Sequence, residues 1–154
     1  MCIGLAMMRS DIPDTLFEDF QLEKQLVTRS ENAASEVQFL WRTQTPLIPV
    51  WHDGQLQIYP WGARERYCKL PKCRDICREE VEIGRWPQGK YVDIPICLAL
   101  ENGVWYQVIE GFKAVLLYDE QRTPHVYLLT QPATHYYEVM TRSQRMPVFI
   151  GRGI

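Results

Sequence analysis

Apolar positions follow two different periods along this chain, and the change between them comes near Pro46. Between Pro13 and Val27, "PDTLFEDFQLEKQLV", Leu16, Phe20 and Val27 recur near one face and Leu22 and Leu26 extend it. Pro13-Asp14 suits a first helical turn, so the spacing predicts a helix over 13–27. From Pro46 onward the signals are those of strands. "PLIPVWH" and "QLQIYPW" flank Asp53-Gly54, and "YVDIPICLAL" and "VWYQVI" flank Asn102-Gly103. Both dipeptides tolerate positive φ at the two central residues, which is what a tight hairpin turn requires. "KAVLLYD" and "HVYLLTQ" form a further pair across the turn-rich "EQRTP". A short helical stretch over 134–141 then leads into "RMPVFI". Strands with segregated helices predict an α+β domain, a curled and mostly antiparallel sheet with a few short helices.

Composition leaves that picture in place. At 154 residues, with 46% hydrophobic and 23% charged residues, the chain suits one domain over 1–154 with a real core. Repeats, low-complexity tracts and glycine-serine linkers are absent. A net charge of -2 gives no global attraction to nucleic acid or to an anionic membrane. No apolar run approaches the ~20 residues that span a bilayer. The start lacks the basic and apolar regions of a signal peptide, and five cysteines, an odd number, read as reduced thiols. These features predict a cytoplasmic monomer without membrane contact.

Local chemistry adds three candidates. "CKLPKCRDIC" places Cys68, Cys73 and Cys77 at C-x4-C-x3-C, with Cys97 or His125 as a conceivable fourth ligand. That spacing lacks the C-x2-C knuckle of common zinc sites, so scattered free thiols are expected, with no metal and no cofactor. Between Arg64 and Arg78, six basic residues outweigh Glu65 and Asp75, a local charge of +4. Trp61 and Tyr67 lie in or beside this stretch, and cations interleaved with aromatic faces suit phosphates and stacked bases. A solvated loop gives the same pattern. Finally, Cys2 directly follows Met1. A residue this small permits removal of the methionine, which would leave Cys2 with a free α-amine beside its thiol. Alternatively, Cys2 begins an edge strand as a small hydrophobe.

Several stretches in order resemble one family, the SRAP proteins (SOS-response-associated peptidases, also described as abasic-site-processing proteins). Met1-Cys2-Ile3-Gly4 resembles that family's M-C-G-R opening, and Trp61-Gly62 its W-G pair. "ICREE" is similar to N-A-R-x-E, which places Arg78 and Glu80 on the motif. "CLALENGVWYQ", Cys97 to Gln107, is similar to C-L-x-P-x-D-G-F-Y-E-W. "TQPA" at 130–133 and "SQRMP" at 143–147 are similar to T-x-P-A and H-D-R-M-P. The departures fall where the family does chemistry. Its glutamate aligns with Tyr106 without a gap, or with Gln107 after one insertion; its histidine becomes Ser143; its asparagine becomes Ile76.

The resemblance implies a fold built on a β-barrel and capture of abasic sites in single-stranded DNA, the implied partner. An α-amine with a pKa near ~7.7–8.0 is partly neutral at physiological pH and can form an imine with the open-sugar aldehyde. The thiol on the same Cα then closes a thiazolidine intramolecularly. On this reading Cys2, Tyr106, Gln107 and Ser143 form the reacting site, and Trp61, Arg64, Arg66, Tyr67, Arg78 and Arg145 bind DNA. Because Tyr106, Gln107 and Ser143 are poor proton-transfer groups near neutrality, slow capture is expected. Two other readings stand beside it: an SRAP-like DNA-binding module without chemistry, and a cysteine autopeptidase or hydrolase.

Overall fold

The period-two segments do form strands, but two sheets take them up rather than one. The computed structural model describes residues 2–66 and 68–153. Within them lie β1 (Gly4–Met8), α1 (Asp14–Asp19), β2 (Leu26–Val27), β3 (Glu36–Leu40), β4 (Leu47–His52), β5 (Gln55–Pro60), β6 (Asp75–Cys77) and α2 (Arg78–Glu82). There follow β7 (Lys90–Ile94), β8 (Leu98–Glu101), β9 (Val104–Gln107), β10 (Phe112–Tyr118), β11 (Pro124–Pro132), α3 (His135–Thr141) and β12 (Arg145–Pro147). The α+β class and the antiparallel bias are as expected. The first sheet has the order β2-β3-β1-β8-β9 and the second β12-β11-β10-β7-β4-β5, with β6 parallel to β11. Among the described residues no ladder joins the two, so the expected closure into a barrel does not occur.

Pro95 accounts for the division. "YVDIPICLAL" reads as one strand, yet it is β7 in one sheet and β8 in the other. Proline lacks the N–H that a ladder needs, and β7 ends at Ile94. The chain then rejoins pairing in the other sheet, where the Cys97 amide donates to the Ala6 carbonyl at 3.0 Å.

Both dipeptide turns form as expected. Asp53 and Gly54 have φ of 53° and 76°, Asn102 and Gly103 of 46° and 79°, the signs a two-residue hairpin loop demands. The helix expected over 13–27 is a correction. It survives only as α1; Gln21 then turns left-handed at φ 51°, a single 3-10 turn spans Leu22–Gln25, and Leu26–Val27 pairs with β3. Tertiary demands outweigh the local period: the break sinks Leu22 fully into the core and leaves Phe20 and Leu26 partly exposed.

The main core lies between the sheets. Leu5, Phe39, Ala99 and Tyr106 from the first meet Ile48, Ile94, Leu116 and Leu128 from the second. Strands β10 and β11 are buried on both faces. Their alternate residues Val115, Leu117, Tyr127 and Leu129 form a smaller core with Ile76 and Ala63. Two-sided burial explains why "AVLL" and "VYLL" read as apolar runs rather than as clean alternation.

Candidate active site around Cys2

Cys2 does not begin an edge strand. It lies two residues ahead of β1, the middle strand of five, and its neighbour Ile3 is bonded on both sides: the Ile3 amide donates to the Leu100 carbonyl and the Trp41 amide to the Ile3 carbonyl, each at 2.9 Å. The side chain is 3% exposed, and the thiol donates to the Gly4 carbonyl at 3.2 Å. Arg74, just ahead of β6, donates from Nε to the Cys2 carbonyl at 3.0 Å. Burial pushes the Cys2 thiol up to about 12, and the nearby Glu101 carboxylate adds to the effect.

Glu101 is the residue that sequence reasoning missed. It is the last residue of β8, fully buried, immediately before the Asn102-Gly103 turn. The Tyr137 hydroxyl lies 3.3 Å from its Oε2 and 2.9 Å from the Tyr106 hydroxyl. Burial raises both tyrosines well above the usual phenol range, so both keep their protons at neutral pH. A carboxylate can only accept, which fixes the direction of the chain: Tyr106 donates to Tyr137, and Tyr137 donates to Glu101. A carboxyl group and two phenols thus form one hydrogen-bonded unit beside the Cys2 thiol.

Local sequence builds this unit. The hydroxyl of Thr134 caps α3 by accepting from the Tyr137 amide at 3.2 Å. At the other end, Asn102 Nδ2 donates to the Thr141 carbonyl at 2.8 Å, which satisfies a last-turn carbonyl and docks the β8–β9 turn on α3. Tyr137 therefore points at Tyr106, with ring centroids 5.6 Å apart and nearly perpendicular planes. Asp75 belongs to the same neighbourhood. Burial raises its carboxyl above the ordinary range against the opposing charge of Arg74, and it senses both Glu101 and Arg145.

The other expected site residues are distributed as follows. Tyr106 faces the core beside Cys2, whereas Gln107 is exposed on the opposite face of β9. Ser143 is buried and its hydroxyl donates to the Arg145 carbonyl at 2.9 Å within the α3–β12 turn. Trp61 is a correction: at 1% exposure, with its indole N–H bonded to the Arg74 carbonyl at 3.0 Å, it has no free face for a base. Tyr67 and Met1 lie outside the described residues.

Most of the expected DNA-binding cations are already engaged. Arg64 lies over Trp41, 4.1 Å from the ring centroid, and donates to the carbonyls of Trp41 and Thr43. Arg78 pairs with Glu82 at 2.9 Å and with Gln131 Oε1 at 3.0 Å. Arg145 pairs with Glu79 at 2.9 Å and donates to the Thr130 carbonyl at the same distance. Arg66 is exposed and makes no ion pair among the described residues. The three cysteines of "CKLPKCRDIC" do not gather; Cys73 instead donates to the Asp75 carbonyl at 3.1 Å.

No known protein family, curated protein or solved structure matches the chain. No helix among the described residues is long and apolar enough to cross a membrane.

Proposed function

We propose that this protein captures the aldehyde of an abasic site in single-stranded DNA through Cys2 once Met1 has been removed, with Glu101 as the proton-transfer group. The observation that carries the reading is the buried Glu101 carboxylate beside Cys2, bonded to Tyr137. The family motif has its glutamate where Tyr106 stands here. In this chain a carboxylate comes instead from the paired strand, and Tyr106 becomes part of its hydrogen-bonded support.

The steps balance without a cofactor. The neutral α-amine adds to the aldehyde carbon, and the Glu101 carboxylate relays the two amine protons in turn to the former aldehyde oxygen, which leaves as water and gives an imine. The thiol then adds across that C=N bond; sulfur bonds to carbon and its proton ends on nitrogen, which completes the thiazolidine. A thiol held near 12 is almost wholly protonated at neutral pH, so a base is needed as sulfur attacks. The Glu101 carboxylate serves as that base: it takes the thiol proton as sulfur attacks and passes it to nitrogen, ending as it began. Arg74 holds the Cys2 carbonyl and restrains the residue whose two nucleophiles react.

A DNA-binding module without chemistry is the second reading, favoured by the 3% exposure of Cys2. A hydrolase gains no comparable support, since His52 is hydrogen-bonded to Tyr59, His125 to Asp119 and Gly62, and His135 is exposed at the start of α3 whereas Cys2 is buried. The deciding experiment incubates Met1-free protein, verified by intact mass, with an abasic single-stranded oligonucleotide and resolves the products on a denaturing gel. A shifted band that Cys2→Ser abolishes is expected. Non-covalent retention of DNA with no shifted band leaves the module reading in place.

A further inference from the structure

The turn between β10 and β11 carries a second cluster, unrelated to the chemistry at Cys2. Cys68, Asp119 and His125 each bring one potential ligand atom within 4.8 Å of the others. Two contacts hold the loop that carries Cys68 against this turn and its following strand. The Lys69 amide donates to Glu120 Oε1 at 3.1 Å, and the Tyr127 hydroxyl donates to the Pro71 carbonyl at 2.9 Å.

The hydrogen bonds around His125 fix what its ring can offer. Nδ1 is 2.8 Å from the Gly62 carbonyl, which can only accept, so Nδ1 carries a proton. In the neutral ring Nε2 then presents a lone pair, and it lies 3.0 Å from Asp119 Oδ2, another acceptor. The second carboxylate oxygen is occupied: Oδ1 accepts from the Gln121 and Thr123 amides at 2.9 and 2.8 Å. Two acceptors facing each other at this distance need a proton or a cation between them. A backbone carbonyl on Nδ1 is the usual outer partner of a metal-bound imidazole, because it fixes the tautomer and orients the ring. The Cys68 sulfur beside the pair adds a soft donor, which favours a metal over a proton.

We propose that Cys68 Sγ, Asp119 Oδ2 and His125 Nε2 bind one divalent cation of the zinc class, with water completing a tetrahedron. Metal–ligand bonds of about 2.0–2.3 Å place donor atoms roughly 3.3–3.6 Å apart, so the atoms move by about an ångström or less to close. The Cys68 thiol releases its proton to solvent on binding. Thiolate and carboxylate together then neutralise the cation. One sulfur, one nitrogen and one oxygen select against calcium and magnesium, which take oxygen ligands. The ion would tie the basic 64–74 loop to the β10–β11 hairpin. Sequence spacing pointed away from a site built on Cys68, Cys73 and Cys77; the ligand set here keeps Cys68 and His125, one of the two fourth ligands considered there, and replaces the other two cysteines with Asp119.

Cobalt(II) titration of the full chain under reducing conditions tests the site. One equivalent should bind with a thiolate-to-cobalt charge-transfer band, competed away by zinc, and zinc should raise the melting temperature. Cys68→Ser should abolish the band and weaken zinc binding at least tenfold, whereas Cys73→Ser and Cys77→Ser should leave both unchanged. Cys68 is only partly buried, so its serine variant should fold, which circular dichroism verifies. No saturable cobalt binding by wild type, or a charge-transfer band that survives Cys68→Ser, overturns the proposal.

Discussion

Glu101→Gln separates a proton-transfer role from a structural one, because an amide keeps the shape and much of the hydrogen bonding of the carboxylate. Its carbonyl oxygen can still accept from the Tyr137 hydroxyl now 3.3 Å from Oε2, and the Tyr106–Tyr137 bond at 2.9 Å is untouched. Stability should therefore change by no more than about 1 kcal/mol in either direction. The chemistry should suffer far more. A positioned acid or base contributes ~10² to 10⁴-fold, which at about 1.36 kcal/mol per tenfold corresponds to roughly 2.7–5.4 kcal/mol of barrier. The assay is a single-turnover time course of adduct formation with Met1-free protein, run beside urea unfolding of both forms. Adduct rates equal within threefold would refute the role assigned to Glu101. A slow variant that has also lost several kcal/mol of stability would equally remove it, since the rate loss would then follow from a damaged fold.

Two further predictions rest on burial and on cation occupancy. The Cys2 thiol is near 12 when folded against an ordinary 9.0, so its contribution to stability is complete below pH 9 and lost as the pH rises toward 12. The span corresponds to at most about 4 kcal/mol; urea midpoints from pH 8 to 11 should fall less steeply for Cys2→Ala than for wild type, and parallel slopes would contradict the burial argument. Exposed Arg66 should contact DNA phosphate where Arg64 does not. Arg66→Ala should weaken single-stranded DNA binding and reduce the salt slope by roughly 0.7, whereas Arg64→Ala should chiefly lower the melting temperature by freeing Trp41 and Thr43. Fluorescence anisotropy across a salt series reads the first effect and a thermal melt the second.

The hairpins were legible because Asp53-Gly54 and Asn102-Gly103 state their backbone geometry directly. The short helix α3, expected over 134–141, forms at His135–Thr141. Elements decided by distant partners were not legible. β6 is three residues, "DIC", and becomes a strand only by lying parallel to Leu128–Thr130. The segment over 13–27 carries a helical period, yet its last two residues are claimed by β3. At the site, period-two reasoning applied strictly would have found more. Ala99 is inward and pairs with Tyr106, so Glu101, two residues on, shares the inward face. Its place beside a turn made it look like an ordinary polar flank. Trp61 failed for the opposite reason, since an aromatic among basic residues does not reveal which way it points.

The placement of β1 also sets an order of events during synthesis. Gly4–Met8 is made before either of its partners, and its register is closed on one side by β3 and on the other by Leu98–Leu100. About ninety residues must be added between Met8 and Leu98 before the second side closes, which at ~5–20 residues per second takes roughly 5–20 s. Throughout that interval the segment around Cys2 has no second neighbour and stays open to processing enzymes and oxidants. The most protected thiol of the finished protein is thus among the most vulnerable while the chain is being made, and any enzyme acting at this end has a deadline set by the arrival of β8.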